Sequence, residues 1–199
     1  MEFGDIVEEK EGVSPMNFDY HTHADGIIVR PLCKEDYTKW FSGFSRRKLS
    51  QHTHDPGLLD MTDCTDSWFS DLVDKHQQLA AEDKVYVFAV FRETDGAHLG
   101  MIDFSTLARD DFQWGRIGYT IHNQYWGKGY GKTAVRLALD VAVCQLHYQR
   151  VEAHINLDNP QSIALAKSVG MHFECIRKGF IFENGQWTDH LVFIHSAQK

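Results

Sequence analysis

The stretch "WGKGYGKT", Trp126 to Thr133, sets three glycines, two lysines and a threonine at the mouth of a helical run. That composition addresses phosphate. Glycine lets the backbone approach a ligand and reach positive φ, and a helix N-terminus offers free N–H groups and partial positive charge to an anion. A nucleoside triphosphate loop requires G-x-x-x-x-G-K-[ST]. Counting back from Gly131, Lys132 and Thr133 puts Trp126 where the first glycine belongs. A dinucleotide loop requires G-x-G-x-x-G, and Gly127, Gly129 and Gly131 are spaced one residue short of it. Both large nucleotide classes fit poorly. Anion binding remains, beside the plainer alternative of a glycine turn that only caps a helix.

The flanking pattern supplies a strand–loop–helix context. Upstream, "FQWGRIGYTI" reads as a strand ending near Ile121, and downstream Val135, Ala138, Leu139, Ala142, Val143 and Leu146 recur at helical spacing. Further out, "GIIVRPL" predicts a first strand, and Tyr37, Trp40, Phe41 and Phe44 predict a helix. The polar segment 46–60 with Pro56-Gly57 reads as a long loop of the kind that shapes sites. A second helix follows, with Thr65 or Asp66 as its cap. "VYVFAVFR" and "HLGMIDFSTL" make a hairpin, "RVEAHINL" a strand, and "NPQSIALAKSVG" a helix stopped by Gly170. "HFECIRKGFIF" and "WTDHLVFIH" close the chain as a hairpin around "ENGQ". The order β-α-α-β-β-β-α-β-α-β-β predicts an α/β (α+β mixed sheet) layer structure. Residues 1–26 read as a tail and 27–199 as a single domain.

The charge of −8, from 20 basic and 28 acidic residues, argues against a nucleic-acid binder and mildly favours a cationic acceptor. No apolar run approaches the roughly 20 residues that span a bilayer, and the acidic N-terminus lacks a signal segment. Cys33, Cys64, Cys144 and Cys175 are scattered without a CxxC pair, reading as reduced thiols of a cytoplasmic protein.

"IGYTIHNQYWGKGYGKTAVRLALDVA" followed by "LDNPQSIALAKSVGM" resembles the GNAT N-acetyltransferases, nearest to the branch of the ribosomal-protein N-terminal acetyltransferases. The likeness runs from about Ile27 to the C-terminus and is strongest over 97–195. It implies a twisted mixed sheet splayed between its fourth and fifth strands, with helices on both faces. It implies acetyl-CoA as donor and a primary amine as acceptor, either a protein N-terminus or a small molecule. The coenzyme A loop, Gln/Arg-x-x-Gly-x-Gly/Ala, maps onto Trp126, Gly127, Lys128, Gly129, Tyr130 and Gly131, with Lys132 at the rim. Ile121 falls where the strand backbone meets the pantetheine arm. Asn159 and Ser162 match the branch's Asn-x-x-Ser, where Asn contacts the cofactor and Ser protonates the departing thiolate. As plain residues, Asp158 or Asn159 is also a good helix cap and Ser162 a cap-region hydroxyl. A homodimer fits the resemblance, since the closing hairpin offers an edge.

Two departures stand out. The family's tyrosine acid, four residues before the helix-ending glycine, is Ala166 here. The branch's carboxylate base falls at Ile181 by counting, with Glu183 two positions on, and another common base position is Arg116. The base is thus open among Asp103, His122, Glu152, His154 or a water chain. The absence of these groups also fits a GNAT-fold module that binds an acyl-CoA without transferring it. His21/His23 and His52/His54 have metal-compatible spacing on a strand, but both pairs lie in expected tail or loop without a third ligand. No metal site is expected.

Overall fold

The computed structural model describes residues 18–197. Among the described residues are eight strands and four α-helices. They are β1 (Thr22–Ala24), β2 (Ile27–Arg30), α1 (Tyr37–Ser45), α2 (Asp66–Ala81), β3 (Val85–Arg92), β4 (His98–Ala108), β5 (Trp114–Ile121), α3 (Tyr130–Cys144), β6 (Arg150–Asn156), α4 (Pro160–Ser168), β7 (His172–Glu183) and β8 (Gln186–Ser196). The sheet order is β1-β2-β3-β4-β5-β6-β8-β7. The mixed sheet expected from the sequence is present, with one strand more.

That strand corrects part of the expected tail. Asp25 and Gly26 turn the chain at φ 51° and 73°, and β1 pairs with β2 from Thr22↔Val29 to Ala24↔Ile27. Phe18 is buried against Tyr86 and Phe88. The remainder of the tail, 1–17, lies outside the described residues.

Strand alternation divides the core into two layers. Phe88 and Val90 of β3, Ile102 and Phe104 of β4, and Ile117 of β5 pack with α3 and α4. Ala89 and Phe91 of β3 face Trp40 of α1 and Phe69 and Val73 of α2 on the other side. Thr65 is the α2 cap, its hydroxyl accepting from the Trp68 N–H at 3.2 Å. Cys144 is exposed in the last turn of α3.

The parallel pair β5–β6 decides where a ligand can enter. It is joined at three rungs, Trp114↔Arg150, Gly115↔Val151 and Arg116↔Glu152. Beyond Arg116 and Glu152 the strands part. The extra strand β1 shifts the count, so the splay expected between strands four and five lies between β5 and β6.

Candidate active site

The splay leaves unpaired amides. The His122 N–H donates to the Leu99 carbonyl at 2.8 Å, on the β4 side. Amides alternate sides along a strand, so the N–H groups of Tyr119 and Ile121 point the other way, towards a β6 that has already departed. Among the described residues these two donors have no strand partner, and they can hold a carbonyl or an amide.

The glycine loop closes one end of this gap. Gly127 and Gly129 sit at φ 76° and 81°, and a Cβ at either would meet nothing within 4 Å. The space beside them is open. Gly129 caps α3 without a side-chain hydrogen bond. The N–H groups of Lys132 and Thr133 turn back to its carbonyl at 3.1 and 3.3 Å, while those of residues 127–131 have no backbone partner among the described residues. Lys128 and Lys132 stand at the rim. Trp126, where the family pattern carries Gln or Arg, ties the loop to the strand: its indole N–H donates to the Ile121 carbonyl at 2.7 Å.

A cavity of about 390 Å³ collects all ten residues singled out above. Ile121, Trp126, Gly127, Lys128, Gly129, Tyr130, Gly131 and Lys132 line it from β5 and the loop, Asn159 and Ser162 from α4. Asn159 is occupied as the α4 cap, its Oδ1 accepting from the Ser162 N–H at 3.1 Å. The Ser162 hydroxyl donates to the Tyr119 phenol oxygen at 2.9 Å, and the phenol donates to the Ser162 carbonyl at 3.2 Å. Burial pushes the Tyr119 hydroxyl up, and the bond from Ser162 acts against that. Tyr119 was missed in the sequence because its partner lies 43 residues away, although it stands in the quoted "IGYTI". At 166 the side chain is a fully buried alanine.

The loop between α1 and α2 was also under-read. Arg47 and Asp55 form a buried pair at 2.8 Å, with side chains 1% and 0% exposed. Arg47 Nε also donates to the Gly57 carbonyl, and Asn123 Nδ2 donates to Asp55 Oδ2. Burial pushes the Asp55 carboxyl up, but bonds from Asn123, Gly57 and Gln51 and the Arg47 charge hold it below its usual range. From this anchor the two loop histidines reach both sides of the gap. His52 stacks on Trp126 at 5.2 Å between ring centres, and His54 Nε2 lies 2.7 Å from Asp158 Oδ1.

The four base candidates separate clearly. His122 has no exposure and does not line the cavity. It lies 3.0 Å from His98 and 3.3 Å from Arg47, and burial first, then those two neighbours, hold it neutral, down to about 2. Glu152 is buried. Burial would raise its carboxyl, but bonds from His154, Arg150 and Arg177 outweigh it and hold the group down to about 2, a poor proton acceptor. His154 is locked to Glu152 at 2.7 Å and covered by Phe180. Glu183 is held by Thr188 and Asn156. Asp103 differs, and is taken up below.

An open gap in a mixed sheet, closed by a glycine-rich helix N-terminus and carrying a hydroxyl pair, suits an extended ligand with an anionic end. The family model for the acetyltransferase (GNAT) domain matches residues 27–172, well over half of the chain. The chain belongs to the GNAT acetyltransferase family. It is 31% identical over 120 residues to the Bacillus subtilis protein named "Probable N-acetyltransferase YjcK", spanning 60% of this chain and 66% of that one. It is 24% identical over 168 residues to the ribosomal protein uS5-alanine N-acetyltransferase of Escherichia coli, with 84% of this chain and 86% of that relative covered. Among solved structures, Mycobacterium smegmatis RimJ in complex with CoA-disulfide superposes with a TM-score of 0.69 at 18% identity, over 86% of this chain and 82% of that chain.

Proposed function

We propose that this chain transfers an acetyl group from acetyl-CoA directly to a primary amine. The single observation that carries the reading is the gap between β5 and β6, open on its amides and closed by the glycine loop. The residues fit the cofactor. The N–H groups of 127–131 with Lys128 and Lys132 suit its pyrophosphate, and the Tyr119 and Ile121 N–H groups suit the amide and carbonyl of its arm. When bound, acetyl-CoA supplies the activated acetyl thioester. The chain's part is to hold the arm straight in the gap, polarise a carbonyl through a strand N–H, and keep a proton at the Ser162 and Tyr119 hydroxyls. No cysteine lines the cavity, which suits direct transfer without an acetyl-enzyme.

The test is thiol release from acetyl-CoA with three acceptors, an N-terminal-Ala peptide, an N-terminal-Ser peptide and spermidine. Turnover with any of them supports the reading. Coenzyme A binding without turnover on any amine favours a binding module instead. Edge strand β7, with Phe173 and Phe182 exposed, suits a homodimer, which sedimentation velocity checks.

A further inference from the structure

Asp103 lies on β4, directly opposite Gly118 of β5. Ile102 and Phe104 on either side of it point into the α3/α4 layer, so Asp103 points to the other face, the one beneath α1 and α2. Gly118 shares that face and is two residues past Arg116, the last residue of β5 paired with β6. The carboxylate therefore stands at the rung where the gap opens, on the side away from α4 and Ser162. The carboxylate lies over Gly118, where only a glycine leaves it room: a Cβ there would lie 2.5 Å from Asp103 Oδ1.

The carboxylate is also unspent. Asp36 and Asp55 are each bound to an arginine, and Glu152 to two and a histidine. Asp103 has no hydrogen bond or ion pair among the described residues, though it is largely withdrawn from water. Leaving a half-buried carboxylate unpaired costs stability, and such a group beside an opening in the sheet is a candidate for function.

We propose that Asp103 is the catalytic base, taking a proton from the acceptor amine as it enters the gap from the α1/α2 face. One N–H bond of the ammonium breaks, its proton passes to a carboxylate oxygen and its electron pair stays on nitrogen as the attacking lone pair, and the protonated carboxyl returns the proton to solvent. The cofactor side and the acceptor side then lie on opposite faces of the sheet and meet through the splay. Burial raises the Asp103 carboxyl above its usual range, and Arg116, the charged group acting on it, pulls the other way. A base moved towards neutrality is better matched to its task.

This rests on the transferase reading. Asp103→Asn is expected to lower kcat/KM with the accepted amine at least about 100-fold, to abolish the acidic limb of its pH profile, and to leave coenzyme A affinity by calorimetry within about twofold. Asp103→Glu restores part of the rate and shifts the limb. Independently, in carboxyl-13C-aspartate-labelled wild type, the resonance missing from Asp103→Asn titrates above the ordinary value of about 3.9. An unchanged limb in Asp103→Asn overturns the proposal. If wild type turns over no amine, the function reading fails and the titration decides Asp103: an ordinary value overturns it.

Discussion

The Ser162 hydroxyl and the Tyr119 phenol meet at 2.9 Å across the open gap, one carried by α4 and the other by β5. The pair lines the cavity together with the glycine loop. Ser162→Ala is expected to lower kcat by about 10- to 100-fold, at the weaker end of acid–base effects, with coenzyme A affinity unchanged. Tyr119→Phe should do the same. Because the hydroxyls act as a unit, the double variant should be little worse than the poorer single one. Steady-state kinetics on the four proteins checks this, and additive losses would separate the two roles.

Gly129 and Gly131 should fail differently. Gly129 holds φ 81° with open space around its missing Cβ. Gly129→Ala therefore strains the backbone by about 1 kcal/mol and projects a methyl group towards the anion site. Gly131 sits in the first turn of α3, where a Cβ would touch Ile121 Cγ1 at 3.4 Å and Leu165 Cδ2 at 3.5 Å. Gly131→Ala should keep or raise stability by up to about 1 kcal/mol through helix propensity and still narrow the cavity. Melting curves with calorimetric titration of coenzyme A will show both variants binding at least about tenfold more weakly, with melting shifts that diverge.

The Arg47–Asp55 pair anchors the loop that carries His52 and His54. Arg47→Met leaves a buried carboxylate without its partner and should cost about 3–5 kcal/mol, read by urea unfolding. His52→Ala removes the stack on Trp126 and the Nδ1 that accepts from the His54 N–H at 3.2 Å. It should weaken coenzyme A binding severalfold with little change in stability.

Stability should fall as the solution is acidified below about pH 6.5. His98 and His122 are buried and neutral, with burial the leading cause in each, down to about 3 and about 2. In the unfolded chain they titrate near 6.5. Below that pH the unfolded state takes up protons that the folded state refuses, so stability is complete above it and drops as pH falls. Asp55, depressed in the fold, adds a further loss as its own carboxyl begins to protonate, below about pH 3.9. Melting temperature against pH measures this, and His122→Gln should flatten the slope between pH 6 and 4.

What could be read from the sequence was what is local. The glycine loop, the helix behind it and the Asn159 cap depend on neighbours within a turn, and the periodicities of β3 to β8 placed those strands within a few residues. The misses are contacts over long separations. β1 carries "THA" in a polar, histidine-rich stretch, and only pairing with β2 makes it a strand. The Arg47–Asp55 pair looks like loop polarity until Asn123, 68 residues on, completes its hydrogen bonds. His122 looked like a free base because nothing in the chain announces that Gly43 brings α1 close enough to bury it. A Cβ at Gly43 would sit 2.8 Å from His98 Nδ1 and 3.0 Å from His122 Nε2.

Three rungs hold β6, β8 and β7 to the rest of the sheet, and past them Tyr119–Ser162 and His54–Asp158 bridge the opening. The sheet is thus two plates joined along a short seam, over a core that both share. A ligand laid between them along β5 would act as an additional strand, drawing bonds from both plates. Amide hydrogen exchange at the inner edges of β5 and β6 should slow together on binding, so that one small molecule makes two cooperative units behave as one.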